Sequence, residues 1–136
     1  SLPLLVKGVL TAQDAEKARQ IGLDGVVVSN HGGRQVDGAV ASLDALVEIR
    51  DALGADYPLL FDGGIRRGAD VMKAMALGAD AVLLGRPYIY GLAVGGQAGV
   101  ERVIKQMWAE VDTNLSLLGA HSVRELDRSW ITEAPQ

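Results

Sequence analysis

Three short loops and one lysine carry most of the residues that could do chemistry. Ser29-Asn30-His31-Gly32-Gly33-Arg34-Gln35 sets an imidazole and a guanidinium three residues apart, with glycines between them. An imidazole accepts a proton near neutral pH, and a guanidinium grips a carboxylate through two parallel hydrogen bonds. The glycines leave room for a planar ring or a substrate to come close. A base and a carboxylate clamp in one loop suit chemistry at the carbon next to a carboxylate. The plainer alternative is a loop histidine that only hydrogen-bonds the backbone. Asp62-Gly63-Gly64-Ile65-Arg66-Arg67-Gly68 and Gly85-Arg86-Pro87 pair glycine turns with arginines. Backbone N–H groups and guanidinium forks of this kind suit a phosphate, or the glycines simply turn the chain and the arginines are solvated. Lys7, at the end of an apolar run, offers a cation to an anionic ring or intermediate, unless it only reaches for the rim.

These groups need elements to carry them, and the hydrophobic pattern supplies those elements. Leu4–Val6 reads as a buried strand ending at Lys7-Gly8. Thr11 opens a helix, with Asp14 in a capping-box position and Ala12, Ala15, Ala18 and Ile21 at helical spacing, and Gly22 stops it. Gly25–Ser29 is a β-branched strand, followed by a polar loop over 30–40. Ser42 is expected to cap a second helix that ends near Leu53. Pro58–Phe61 makes a third strand, about 69–77 a third helix, and Ala81–Leu84 a fourth strand. Residues 88–96 read as a loop and about 97–118 as a long helix closed by Gly119. Beyond it, one short helical turn at most is expected. Met107, Trp108, Tyr88 and Tyr90 are read as packing residues, Trp130 as a pin for the tail, and His121 as surface.

Strands apolar on both faces that alternate with amphipathic helices mean a parallel sheet with helices against it. Aligning 11–24 with 67–80 matches Asp14 with Asp70, Lys17 with Lys73, Gly22 with Gly78 and Asp24 with Asp80. Two tandem quarters of this kind predict an α/β fold that is half of a (β/α)₈ barrel, with a free-standing doubly wound sheet as the competitor. The chemistry-bearing residues then all fall at strand ends, where barrels place their sites, and the phosphate loops match those that follow strands seven and eight. The predicted domain plan is a half-barrel over 1–119 and a tail over 120–136.

Composition excludes several other functions. The 136 residues are 49% hydrophobic and 22% charged, with a formal charge of −4. That balance fits a globular chain and offers no global basic field for nucleic acid. Zero cysteines and two histidines remove disulfides, thiolate sites and an all-protein zinc set. No run approaches the roughly 18 apolar residues of a membrane span, so a cytoplasmic protein is expected. The start at Ser1 and the apolar second residue read as a chain cut from a longer one, or as a processed start.

With these residues in place, the chain resembles the FMN-dependent 2-hydroxy-acid oxidases and dehydrogenases. Lys7-Gly8, the Ser29–Gln35 loop, Asp62–Gly68 and Gly85-Arg86-Pro87 stand in that family's order and spacing. The resemblance runs from Leu4 to about Gly119, as the C-terminal half, (βα)4, of a TIM (β/α)8 barrel. It implies FMN as cofactor and a small L-2-hydroxy acid as substrate. Lys7 would stabilise charge at the flavin N1/O2 edge, Ser29 would contact the flavin, and Asp62 would hold the ribityl hydroxyls. Gly63, Gly64, Ile65 and Arg66 would surround the phosphate, with Gly85 and Arg86 closing that site. His31 would be the base and Arg34 the carboxylate clamp. The run Tyr88–Leu92 leans toward lactate-monooxygenase-like members.

The family's first half, which the resemblance does not cover, would supply further flavin contacts, two substrate-binding tyrosines and the aspartate that orients the histidine. Four strands alone would leave a bare sheet edge. The expected partner is therefore the missing N-terminal half-barrel, or another copy through the open edge, and a homo-oligomer is expected. A stand-alone flavin- or phosphate-binding half-barrel and an assembly module without turnover are the alternatives.

Overall fold

The computed structural model describes residues 2–132; Ser1 and the last four residues of the predicted tail lie outside the described residues. The chain divides into two compact units, one of residues 1–64 with 77–83, the other of 65–76 with 84–136.

The first unit is built on four parallel strands in the order β1-β2-β3-β4: β1 (Leu5–Val9), β2 (Gly25–Ser29), β3 (Leu59–Asp62) and β4 (Ala81–Leu83). Helices α1 (Ala12–Gln20) and α2 (Ser42–Leu53) belong to it. Every residue of β2 is buried, as its β-branched run predicts for a central strand. β1 is not the buried strand expected: Leu4 and Leu5 are exposed, because among the described residues β1 is an edge strand paired with β2 alone. It also starts and ends later, so Lys7 and Gly8 lie inside it and not at its end. Between Lys7 and Val9 the register with β2 slips, and Gly8, with φ of +103°, bulges out of the ladder.

The core of this unit joins Val26, Val28, Leu59 and Phe61 from the sheet to Leu46 and Ile49 of α2. The α2 positions that face it, Ser42, Ala45, Leu46, Ile49 and Leu53, keep helical spacing. Each such aliphatic or aromatic side chain contributes about 1.5–3 kcal/mol by leaving water. Thr11 caps α1 as expected, accepting from Asp14 N at 3.2 Å while its hydroxyl donates to Asp14 Oδ2 at 2.9 Å. Ile21 was expected on the helix's apolar face, yet it is exposed because α1 ends at Gln20 and Ile21 is its C-cap. Ser42 is not the cap of α2. Ala41 holds that place with no side-chain bond, and the buried Ser42 hydroxyl instead accepts from Asn30 N at 3.0 Å.

The second unit holds α3 (Gly68–Ala76) and α4 (Arg86–Leu118). Asp70 Oδ2 accepts from Arg66 N and Arg67 N at 2.9 and 3.0 Å, and Glu110 Oε2 accepts from Gly68 N at 2.7 Å. A Cβ on Gly68 would stand 2.6 Å from Glu110 Cβ, so only glycine lets the two helices approach this closely. The segment 88–96 is helical rather than a loop. Gly85 precedes the first turn, Pro87 sits in it, and the break comes later, at Gly95 and Gly96 (φ −145° and +57°). Beyond that break Gly99 packs directly on the Gly91 carbonyl, so Gly91, which read as a loop residue, serves as a packing contact.

Gly119, left-handed at φ +74°, closes α4. The tail then makes two 3-10 turns, Val123–Glu125 and Arg128–Trp130, one more than expected. Leu126, rather than Trp130, anchors it by packing on Met72, Ala76 and Ala120, whereas Trp130 is 42% exposed. Met107 is buried as expected, but Trp108 is 75% exposed on the outer face of α4, and Tyr88 and Tyr90 are exposed too. Helical spacing sets the two apart: Met107 and Trp108 are adjacent, so they cannot share a face.

Candidate active site

The first unit brings Lys7, from inside β1, to Ser29 and Asp62 at the ends of β2 and β3 and to His31 just after β2. Parallel pairing sets Ser29 opposite Asp62 and Lys7 opposite Val27. Lys7 Nζ donates to Asp62 Oδ2 at 2.8 Å and to Ser29 Oγ at 3.0 Å. The Ser29 hydroxyl donates to the same Asp62 oxygen and accepts from His31 N at 3.1 Å. Ser29 is fully buried with its hydroxyl committed on all sides. Two of the three Lys7 ammonium hydrogens are engaged, and its side chain keeps 39% exposure. Both bonds to Asp62 fall on Oδ2, and Oδ1 takes none among the described residues. Burial alone would raise the Asp62 carboxyl. The hydrogen bonds from Lys7 and Ser29, with the charges of Lys7 and His31, outweigh it and hold the carboxyl below its ordinary value.

His31 opens a 3-10 turn, His31–Gly33, with φ of +54°, uncommon for a residue with a side chain. Asn30, quoted in the loop but given no role from sequence, holds this turn, its Oδ1 accepting from Gly33 N (3.1 Å) and its Nδ2 donating to Val40 O (3.3 Å). An Asn three residues before a glycine-ended turn is the readable trace of that role. The imidazole lies over Gly8, with Nε2 2.6 Å from where a Gly8 Cβ would be. Arg34 caps the turn, is exposed, and has no ion pair among the described residues. Gly63 and Gly64, which follow β3, have φ of +133° and +73°. A Cβ on Gly63 would crowd Ser42 Oγ at 2.9 Å, and one on Gly64 would enter open space.

In the second unit, Arg66 lines a cavity of about 330 Å³ with Tyr90, Gln106 and Glu110. Its backbone N–H, like those of Arg67 and Gly68, already faces a carboxylate, so the start of α3 has no free donors at these three positions. Ile65 is buried, Gly85 has open space where a Cβ would point, and Arg86 begins α4. Asp70 and Glu110, both absent from the sequence reading of the site, therefore shape this loop; only the Asp14/Asp70 match of the repeat hinted at the first.

The first unit thus sets a lysine inside its edge strand, a histidine of positive φ and an exposed arginine without an ion pair among the described residues beside one another on a parallel α/β fold. A profile of the family described as FMN-dependent dehydrogenase matches residues 1–133, and the chain belongs to that family. An L-lactate oxidase of Nostoc sp. is 52% identical over 130 residues, 96% of this chain and 36% of that protein. A peroxisomal (S)-2-hydroxyacid oxidase of Arabidopsis thaliana is 48% identical over the same shares. An active mutant of (S)-mandelate dehydrogenase superposes with a TM-score of 0.93 at 42% identity, over 98% of this chain and 37% of that one. The chain thus spans about a third of the length of the relatives it matches. Its fold is the C-terminal (βα)4 half of a TIM barrel, and FMN is the cofactor of its family. The residues present fit that cofactor: an unsaturated ammonium on Lys7, a free carboxylate oxygen on Asp62, and a glycine at 64 with open space in front of it.

Proposed function

We propose that this chain supplies the C-terminal part of the active site of an enzyme that oxidises an L-2-hydroxy acid of lactate type to its 2-oxo acid. The observation that carries this reading is the Lys7–Ser29–Asp62 network, with the His31 imidazole and an Arg34 that has no ion pair among the described residues in the same unit. Arg34 binds the substrate carboxylate through its guanidinium fork, which fixes the hydroxy acid's α-carbon. His31 takes the substrate proton. When bound, FMN accepts the two electrons that leave the α-carbon. Lys7 offers its remaining hydrogen to the negative charge that develops on reduction, and Asp62 offers Oδ1 to the ribityl hydroxyls. Gly63, Gly64, Ile65, Arg66, Gly85 and Arg86 hold the phosphate. Because the Ser29 hydroxyl is committed, Ser29 serves the flavin through Lys7 and Asp62 as much as by contact.

Relatives named L-lactate oxidase support the lactate-like substrate. The monooxygenase outcome rests on the Tyr88–Leu92 run alone. A first half-barrel completing the site, a homo-oligomeric assembly and a cytoplasmic location belong to the same proposal; relatives include proteins named peroxisomal and one described as a monotopic membrane protein. No helix among the described residues is long and apolar enough to cross a membrane.

The test is anaerobic mixing of L-lactate with the complete FMN-loaded enzyme that carries this chain, followed by flavin absorbance. His31→Ala is expected to abolish reduction while FMN stays bound, and Arg34→Ala to raise KM steeply. Retained reduction in His31→Ala removes His31 from the chemistry. Saturable FMN binding by this chain alone, without reduction by lactate, would favour the stand-alone binding module.

A further inference from the structure

The bulge in β1 has a consequence for the histidine. Gly8 is set apart from the β1–β2 ladder, its φ is +103°, and the face where a side chain would begin is covered by the His31 ring. A Cβ there would lie 2.6 Å from Nε2, 3.4 Å from Cε1 and 3.6 Å from Cδ2. Ordinary contact needs about 3.5–4.0 Å, so the ring would have to withdraw by about 1 Å. The other supports of His31 act on its backbone: Ser29 Oγ accepts from His31 N, and Asn30 closes the turn. They fix where the residue begins but leave the ring free to rotate. At Gly8 it is the ring itself that is met, since a Cβ there would fall nearest Nε2.

We propose that Gly8 is the positioning residue for the His31 imidazole: the bulge exists to present a flat, side-chain-free seat on which the ring rests. The proposal rests on the reading of His31 as the base. It assigns to the glycine after Lys7 a role in aiming the proton acceptor, while Lys7 beside it serves the cofactor. One strand thus sends its lysine to the Ser29–Asp62 network and its next residue under the imidazole. A displacement of about 1 Å in a reacting group costs on the order of 100-fold in rate, so the seat is worth testing by adding a single methyl.

Gly8→Ala adds both that methyl and left-handed strain, and Gly22→Ala separates the two. Gly22 has φ of +88° and nothing within 4 Å of a would-be Cβ, so alanine there brings strain without collision. In this chain, which has two histidines, the imidazole NMR signals of His31 and His121 are resolved by His121→Gln. Unsubstituted chain should show a cross-relaxation peak between the His31 ring protons and a Gly8 Hα. Gly8→Ala should move the His31 signals and leave His121 in place, and Gly22→Ala should move neither. In the complete FMN-loaded enzyme, Gly8→Ala should slow flavin reduction by about 100-fold with FMN still retained, and Gly22→Ala should leave the rate unchanged.

Absence of the Gly8–His31 peak overturns the seat even if the alanine variant does not fold. Equal rate losses in the two glycine variants reduce the effect to strain and overturn it too, as does a shifted ring with an unchanged rate. A His31→Ala enzyme that still reduces its flavin overturns the base assignment itself, whatever Gly8 does.

Discussion

The two ends of the sheet in the first unit use the same residue types for opposite purposes. At the ends where strands begin, Asp24, Asp80 and Arg50 are committed to backbone groups, the last two also to each other. Asp24 N donates to Leu4 O at 2.9 Å while Asp24 Oδ2 accepts from Leu4 N at 2.7 Å. Asp80 N donates to Leu59 O while its Oδ2 accepts from Leu59 N, both at 2.8 Å. The matched aspartates of the sequence repeat thus make the same two-point clamp, each on the strand before its own. Arg50 donates to Gly54, Ala55, Tyr57 and Gly78 carbonyls and to Asp80 Oδ2, between 2.7 and 3.3 Å. Toward the other end, Arg34 has no partner among the described residues, Lys7 and Asp62 keep unsaturated atoms, and His31 and Gly8 both have positive φ. One end holds the unit together and the other holds groups ready, as barrels divide stability from chemistry.

If that division is right, the largest stability loss comes from the strand-start end. Arg50→Ala strands four carbonyls and the Asp80 carboxylate around a side chain only 11% exposed. Urea denaturation should show a loss of about 3 kcal/mol or more. Arg50→Lys should recover less than half of it, since one ammonium cannot serve acceptors set around a planar fork. An Arg50→Ala loss below about 1 kcal/mol would break the comparison.

The repeat offers a finer test. Asp80→Ala should cost about 2 kcal/mol and Asp24→Ala about 1 kcal/mol. Both lose the strand clamp, and Asp80 alone also meets Arg50. In an Arg50→Ala background the gap between the two should close, measured as a double-mutant cycle. A gap that persists would mean the clamps differ for another reason.

What the sequence disclosed follows the same division. The apolar runs and stopping glycines placed four strands and the first three helices within about two residues, and Ser29 and Asp62 fell at strand ends whereas Lys7 lay inside its strand. The Asp24/Asp80 match was visible as spacing, but its meaning needed the strand pairing that brings Leu4 and Leu59 within reach. Arg50 carried no signal at all, since its acceptors, the carbonyls of Gly54, Ala55, Tyr57 and Gly78 and the Asp80 carboxylate, meet only once the chain has folded. Gly8 read as a strand's end because a glycine after an apolar run usually is one; a bulge leaves the same trace. Glycine-bearing 88–96 read as loop for the same reason, although its Gly91 is where Gly99 of the following helix packs.

The smallest effect expected is at the site end, and its sign is informative. Lys7→Met should change stability at pH 7 by no more than about 0.5 kcal/mol, because the Lys7–Asp62 pair is part-exposed and partly screened. Its trace should appear in acid. The folded Asp62 carboxyl lies below its ordinary value, whereas in the unfolded chain it titrates near about 3.9. Between those two values the unfolded state binds the extra proton. The stability Asp62 contributes is therefore complete above the unfolded value and is lost as pH falls through the folded one. Removing Lys7 takes away a hydrogen bond and a charge that oppose the effect of burial, so the folded carboxyl must rise. The acid limb of stability against pH, followed by thermal unfolding, should then shrink or reverse in Lys7→Met, and Asp62→Asn should abolish the Asp62 part of it. An unchanged acid limb in both variants would mean that Lys7 and Asp62 do not share their proton balance, and that the site end is as inert as a surface.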